Sequence, residues 1–82
     1  MLKEEKIPIA EIYVPTKRRT TLNAETVEQL AGAILEDGQK VPIQVRYDGK
    51  RYVLIEGLHR LEACRALGEE TVIGILVQAR KH

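Results

Sequence analysis

The residues best placed to do chemistry form a short turn, Gly57-Leu58-His59-Arg60, which directly follows the apolar run "YVLI" and Glu56. A strand that ends in glycine and passes at once into a helix directs unpaired backbone N–H groups and the positive end of the helix dipole toward one point. The glycine has no Cβ to obstruct a phosphate, and His59 and Arg60 add side-chain donors. This turn therefore predicts an anion site, with phosphate as its natural ligand.

Two further interpretations of this turn stay open. In the first, it is an ordinary connection in which Arg60 pairs with a nearby carboxylate such as Glu56. In the second, Glu56 and His59 flank the turn closely enough for acid–base chemistry on a bound phosphate, which makes them the candidate catalytic residues. No Ser-His-Asp arrangement or pair of carboxylates offers a competing active site.

A second group of cations lies outside the turn. Lys17, Arg18 and Arg19 stand in "TKRRTT", which has no apolar residue and is expected to be an exposed loop. Arg46 and Arg51 lie in the next β-rich segment. These five cations form a secondary basic patch that could contact DNA phosphates without reading bases, or could simply be solvated.

Composition excludes several classes of function. The 82 residues carry a formal net charge of +1, so any anion site must be local. No apolar run approaches the roughly 20 residues of a membrane span, and the N-terminus has neither an apolar signal core nor a cleavage site, so a cytoplasmic protein with no membrane contact is expected. His59 and His82 show no metal-ligand spacing, and no metal site is predicted.

The first half of the chain predicts a strand and a helix. "KIPIAEIYVP" predicts a short strand followed by a turn or a second extended piece, and Pro8 fits only an edge position. Asn23 caps a helix that Gly38 ends. Gly32 inside that helix suggests close packing of another element. The helix is expected to bury one apolar stripe, composed of Val27, Leu30, Ala31, Ile34 and Leu35.

Two β-rich runs around Asp48-Gly49 predict a hairpin with a two-residue turn. In that register Val45 faces Tyr52 and Arg46 faces Arg51. The two arginines would either splay into solvent or hold an anion between them. One strand face, with Ile43, Val45, Tyr52 and Leu54, is assigned to the core.

The remaining elements complete an α+β domain. Leu58, Leu61, Cys64 and Leu67 recur at helical spacing up to Gly68, and Cys64 on this stripe is expected to be a core residue with a raised pKa. The apolar run "TVIGILVQ" predicts a strand inside the sheet. The order strand, helix, hairpin, helix, strand indicates one domain over residues 1–82, with a small mixed sheet and two main helices.

Two long segments of the sequence resemble a known family. "LAGAILEDGQKVPIQV" followed by "YVLIEGLHRLEACRALGEETV" is similar to the ParB N-terminal and sulfiredoxin superfamily, from Ile7 to about Val77. The resemblance implies that Gly57, Leu58, His59 and Arg60 bind nucleotide phosphates of ATP or CTP, with Mg²⁺ as an accompanying ion. It also places Arg18 and Arg19 where ParB proteins carry an arginine before the first helix.

Departures from the family limit what the resemblance implies. Sulfiredoxins have a catalytic Cys where this chain has Leu58, and leucine cannot be a nucleophile. ParB proteins have Gly-Glu-Arg-Arg at the turn, and their second phosphate motif and DNA-binding helices lie downstream. The sequence thus predicts a stand-alone nucleotide-binding domain, with weak hydrolysis left open. A ParB-like nuclease or a DNA-binding regulator using residues 17–19 is the alternative, and a homodimer through an exposed strand edge is left open.

Overall fold

A computed structural model describes residues 3–77. Within these residues the chain forms five strands and three helices, with a single 3₁₀ turn at Ile9–Glu11. The strands are β1 (Glu4–Pro8), β2 (Ile12–Tyr13), β3 (Ile43–Tyr47), β4 (Tyr52–Glu56) and β5 (Thr71–Leu76), and the helices are α1 (Thr16–Arg19), α2 (Ala24–Asp37) and α3 (Leu58–Ala66).

The strands form one mixed sheet in the order β1-β5-β3-β4-β2. β1 is antiparallel to β5 and β3 is antiparallel to β4, whereas β5 with β3 and β2 with β4 are parallel pairs. The predicted mixed sheet is therefore confirmed, as is the interior position of β5. Pro8 is the last residue of an edge strand, where its missing N–H costs no ladder bond. The final residue of the predicted last strand, Gln78, lies outside the described residues.

The N-terminal segment follows the sequence prediction up to Pro15 and departs from it afterwards. The predicted short strand is followed by the 3₁₀ turn and a second extended piece, β2, whereas the predicted loop at "TKRR" is instead the one-turn helix α1. The Pro15 carbonyl accepts from the Arg18 N–H at 2.9 Å and begins this turn. The hydroxyls of Thr20 and Thr21 donate back to carbonyls in the same turn, at 2.8 Å each, and close it. Local hydrogen bonds that no apolar pattern reveals therefore make the helix.

The hairpin forms, but its predicted register is wrong. Tyr47 faces Tyr52 and Arg46 faces Val53, so each partner is displaced by two residues and Arg46 does not oppose Arg51. The turn centres on Gly49 and Lys50, because the Asp48 side chain accepts from the N–H groups of Lys50 and Arg51 at 3.0 Å. Gly49 then has a φ of +99°, suited to the first central position of such a turn. A shift of two preserves which face each residue occupies.

Helix α2 has the predicted ends, and its predicted apolar stripe is half-buried except at Leu35. The Asn23 side chain accepts from the Thr26 N–H at 3.0 Å, and Gly38 follows the helix with a φ of +80°. No residue of α2 is fully buried, and the prediction for Leu35 is wrong, since it is 75% exposed. The prediction for Gly32 is also wrong, since a Cβ built there would meet nothing within 4 Å. The reason for both errors is that α2 packs on α3 and not against the sheet.

The core lies between α3 and one face of the sheet. The core face predicted for the hairpin is confirmed, because Ile43, Val45 and Leu54 are buried there and Tyr52 packs against them. The whole buried cluster consists of Ile7, Ile9, Ile12, Val14, Ile43, Val45, Leu54, Leu58, Leu61, Cys64 and Val72. This packing fixes the position of the β4–α3 turn, which carries the predicted anion site.

Candidate functional site

Gly57 joins β4 to α3 in a conformation that only glycine adopts readily. Its φ is +104°, and a Cβ built on it would lie 2.7 Å from Cγ2 and 3.1 Å from Cα of Ile43. The first contact is with a core side chain and the second with backbone, so neither can move aside cheaply. Packing against β3 therefore requires glycine at position 57. The missing Cβ also leaves room at the turn.

The N-terminus of α3 keeps its positive character. Gly57 precedes the helix and offers no side-chain cap, and no acidic residue lies in the first helical turn. The Gly57 carbonyl accepts the Leu61 N–H at 2.9 Å, which places the N–H groups of Leu58, His59 and Arg60 at the open helix end. Such an end favours an anion.

These groups line a cleft of about 330 Å³ together with residues from the start of the chain. Its lining residues are Arg18, Thr21, Glu56, Gly57, Leu58, His59 and Arg60. Arg18 comes from α1, so two segments about 40 residues apart in sequence supply cations to one cleft. The structure thus brings Arg18 and the predicted turn together.

Glu56 pairs with Arg18 and not with Arg60. The closest oxygen–nitrogen distance, from Oε1 of Glu56 to Nη1 of Arg18, is 3.8 Å, and both side chains are largely exposed. No ion pair among residues 3–77 includes Arg60, so the predicted pairing of Arg60 with Glu56 is wrong. An exposed pair at this distance contributes little to stability, and Arg18 is therefore available to an anion in the cleft.

His59 has a partner that the sequence did not indicate. Its Nε2 accepts a hydrogen bond from the backbone N–H of Asn23 at 3.0 Å. An accepting Nε2 carries no proton, so the neutral ring holds its proton on Nδ1. Asn23 also caps α2. Its backbone therefore ties the start of α2 to the candidate site, a contact between residues 36 positions apart that no local pattern can reveal.

The other predicted cations lie elsewhere. Lys17 and Arg19 are exposed on α1, whereas Arg46 and Arg51 belong to the hairpin and do not line the cleft. The secondary basic patch predicted as one group is therefore divided, and only Arg18 of its members joins the turn.

Leu58 and Cys64 are both buried, as the apolar stripe of α3 predicts. Leu58 is buried in the core cluster, so the position of the sulfiredoxin nucleophile holds a packing residue here. Cys64 is also buried, and burial, with a smaller contribution from the charge of Glu69, raises the pKa of its thiol. A buried thiol with a raised pKa is a poor nucleophile.

Within residues 3–77, no group of three His, Cys, Asp or Glu side chains is arranged to hold a metal ion. In the same part of the chain, no helix has the length and apolar character needed to cross a bilayer.

The fold and the turn define a protein of the ParB and sulfiredoxin type. The chain matches the ParB N-terminal domain family over residues 2–82, and it belongs to that family. It is 32% identical over 62 residues to a protein of Campylobacter jejuni named "Probable chromosome-partitioning protein ParB". That match covers 76% of this chain but only 22% of the relative, so the chain corresponds to a small part of that protein.

Solved structures of both branches of the superfamily have this fold. Sulfiredoxin from Arabidopsis thaliana superposes with a TM-score of 0.84 at 27% identity, covering 94% of this chain and 86% of that one. A C-terminally truncated chromosome-partitioning protein ParB from Caulobacter crescentus, complexed with CTP-γ-S, gives a TM-score of 0.81 at 26% identity. That comparison covers 96% of this chain and 46% of the Caulobacter chain. The fold predicted from the resemblance is confirmed.

Proposed function

We propose that this chain is a nucleotide-binding domain that holds the phosphates of a nucleoside triphosphate at the N-terminus of α3. The observation that carries this proposal is the cleft itself, in which Arg18 and Arg60 meet the uncapped N–H groups that begin α3. Backbone donors and two guanidinium groups at a helix N-terminus are suited to a polyphosphate, because charge-assisted bonds to Arg are strong and the helix dipole adds to them.

Among nucleotides, CTP is the first candidate and ATP the second. A ParB relative with the same fold is complexed with CTP-γ-S, which supports a cytidine nucleotide. Among residues 3–77, Glu56 is the one carboxylate that lines the cleft, and it already lies beside Arg18. A Mg²⁺ ion accompanying the nucleotide would therefore be held mainly by the phosphates, as is common for this ion.

Slow hydrolysis would depend on Glu56. His59 uses Nε2 to accept from Asn23, whereas the Glu56 carboxylate reaches the cleft and loses its partner when a phosphate attracts Arg18. Glu56 is therefore the candidate general base for an attacking water. The test is phosphate release from CTP and ATP, which Glu56→Gln should abolish without abolishing nucleotide binding.

Thermal unfolding tests nucleotide binding directly. A ligand that binds only the folded state raises the melting temperature as its concentration exceeds the dissociation constant. CTP, ATP and pyrophosphate should each be tested, with and without Mg²⁺, and Arg60→Ala should abolish the shift. Arg65→Ala is the matched control, because Arg65 lies on the same helix, pairs with Glu62 and does not line the cleft. A chain whose melting temperature responds to no nucleotide would overturn the proposal.

A further inference from the structure

A groove lies between the C-terminal ends of α2 and α3 and the start of β5. Its volume is about 330 Å³, and none of its lining residues also lines the cleft at the N-terminus of α3. Its apolar lining comes from Ile34 and Leu35 of α2, Cys64 of α3, and Leu67 and Ile73. We call this space the helix-end groove, and it is separate from the candidate nucleotide site.

The amide of Gln39, which also lines the helix-end groove, is occupied by the backbone. Its nitrogen donates to the carbonyls of Val41 and Ile73, at 2.9 and 2.8 Å, and its oxygen accepts the Ile73 N–H at 2.8 Å. Both ends of the amide are therefore used within the chain. No buried side-chain nitrogen or oxygen among residues 3–77 lacks a partner. The groove is thus better suited to an apolar occupant than to a polar one.

Leu35 lies at the helix-end groove without filling it. Its 75% exposure is the highest among the large apolar side chains that the structure describes. A cavity of about 150 Å³ is enough to hold a small apolar molecule such as benzene, so the groove has room for a leucine side chain from outside. An apolar groove and an exposed leucine therefore lie side by side on one surface.

The charged side chains at the groove are of both signs. Lys6 of β1 and Glu69, which follows α3, line the groove and are exposed. No ion pair within residues 3–77 includes either of them. A two-fold contact between identical copies requires a surface that carries both members of each interaction. The helix-end groove meets this requirement, because it combines a leucine with a groove to receive it and a cation with a carboxylate.

We propose that two copies of this chain form a two-fold dimer through the helix-end groove. Leu35 of each copy enters the groove of the other, and Lys6 of each copy pairs with Glu69 of the other. A small apolar ligand would fill the groove but leave Leu35 exposed, whereas a second copy covers both. The assembly stops at two copies, because each surface is used up by the other copy.

Sedimentation velocity measures the assembly directly. The native chain should shift from monomer to dimer as its concentration rises to about 1 mM, and its melting temperature should rise with concentration. Leu35→Gln should weaken the dimer about 100-fold or more, because two leucine side chains lose their burial. Leu22→Gln is the matched control, since Leu22 is 45% exposed and does not line the groove, and it should leave the dimer unchanged. A native chain that stays monomeric, an assembly larger than a dimer, or equal losses in the two folded leucine variants would overturn the proposal.

An exchange of charge tests how the two copies are arranged. Lys6→Glu and Glu69→Lys should each weaken the dimer severalfold, because both symmetric pairs then bring like charges together. The double variant should recover the native dissociation constant, since opposite charges again face each other across the two-fold axis. A double variant as weak as the single ones would overturn this arrangement. Arg60→Ala should dimerise like the native chain, which separates the dimer from the nucleotide site. Circular dichroism establishes that each variant is folded.

Discussion

The imidazole of His59 accepts a hydrogen bond at 3.0 Å from the backbone N–H of Asn23. This bond joins the first turn of α3 to the residue that caps α2. Asn23 follows α1 within a few residues, and α1 carries Arg18 into the cleft. His59 is therefore a positioning residue for the segment that completes the candidate site, in addition to lining that site itself.

The first prediction concerns this bond. His59→Ala should lower the free energy of unfolding by about 1 kcal/mol, because the exposed Asn23 N–H exchanges its side-chain acceptor for water. It should also weaken nucleotide binding less than Arg60→Ala does. Urea denaturation measures the first effect, and Glu62→Ala, which removes a partly exposed helical ion pair with Arg65, is the control. Equal stability of the His59 variant and the native protein would show that the bond contributes nothing.

The second prediction compares two glycines. Gly57→Ala should destabilise the protein by about 1–3 kcal/mol or more, because φ is +104° and the new methyl group would lie 2.7 Å from Ile43. Gly32→Ala should stabilise it by up to about 1 kcal/mol, since a methyl group there meets nothing and alanine favours helix. Chemical denaturation of both variants distinguishes them. Destabilisation by Gly32→Ala would mean that the Gly32 position packs against another group, which the structure does not show.

The sequence predicts the elements better than it predicts their relative placement. Helix caps at Asn23 and Gly38, the apolar stripe of α3 and the interior strand β5 all depend on local or periodic signals, and all are confirmed. The predicted hairpin register was wrong because the Asp48 side chain accepts from two backbone N–H groups and moves the centre of the turn by one residue. A side-chain bond of this kind does not appear in an alternation of apolar and polar residues.

The predicted burial of Leu35 on α2 was wrong for a related reason. A helical stripe shows that a helix has an apolar side, but not how completely its neighbour covers it. Here the neighbour is α3, and Leu35 stays largely exposed. At the candidate site the sequence identified the turn, and the family resemblance indicated Arg18 or Arg19, whereas the choice of Arg18 and the His59–Asn23 bond required the tertiary structure.

The third prediction concerns the charge balance of the cleft. Glu56→Gln removes the carboxylate that lies 3.8 Å from Arg18 and that lines the cleft. Nucleotide binding should therefore become several-fold tighter, while stability changes by no more than about 1 kcal/mol because the pair is exposed. Isothermal titration with CTP measures the affinity. Weaker binding in this variant would show instead that Glu56 contacts the ligand or its ion.

The fourth prediction is a dependence of stability on pH. Backbone hydrogen bonds from Arg51 and then Lys50 lower the pKa of Asp48 below its ordinary value of 3.8. A group whose pKa is lower in the folded state stabilises the fold above the unfolded pKa, and this contribution is lost as the pH falls through the folded pKa. Urea midpoints measured below about pH 4 should therefore decline less for Asp48→Asn, whose amide oxygen can still accept both bonds but does not titrate. Identical acid profiles would contradict the shift.

The last prediction concerns Cys64. Burial, and to a lesser degree Glu69, raises the pKa of this thiol, so the folded protein should react with a disulfide reagent far more slowly than the urea-unfolded chain. The raised pKa means that the neutral thiol stabilises the fold below the unfolded pKa, and that this contribution is lost as the pH rises through the folded pKa. Cys64→Ser should cost more stability than Cys64→Ala, because serine places a hydroxyl among apolar side chains. Rapid modification of the folded protein at neutral pH would contradict this assignment and would make Cys64 a reactive residue.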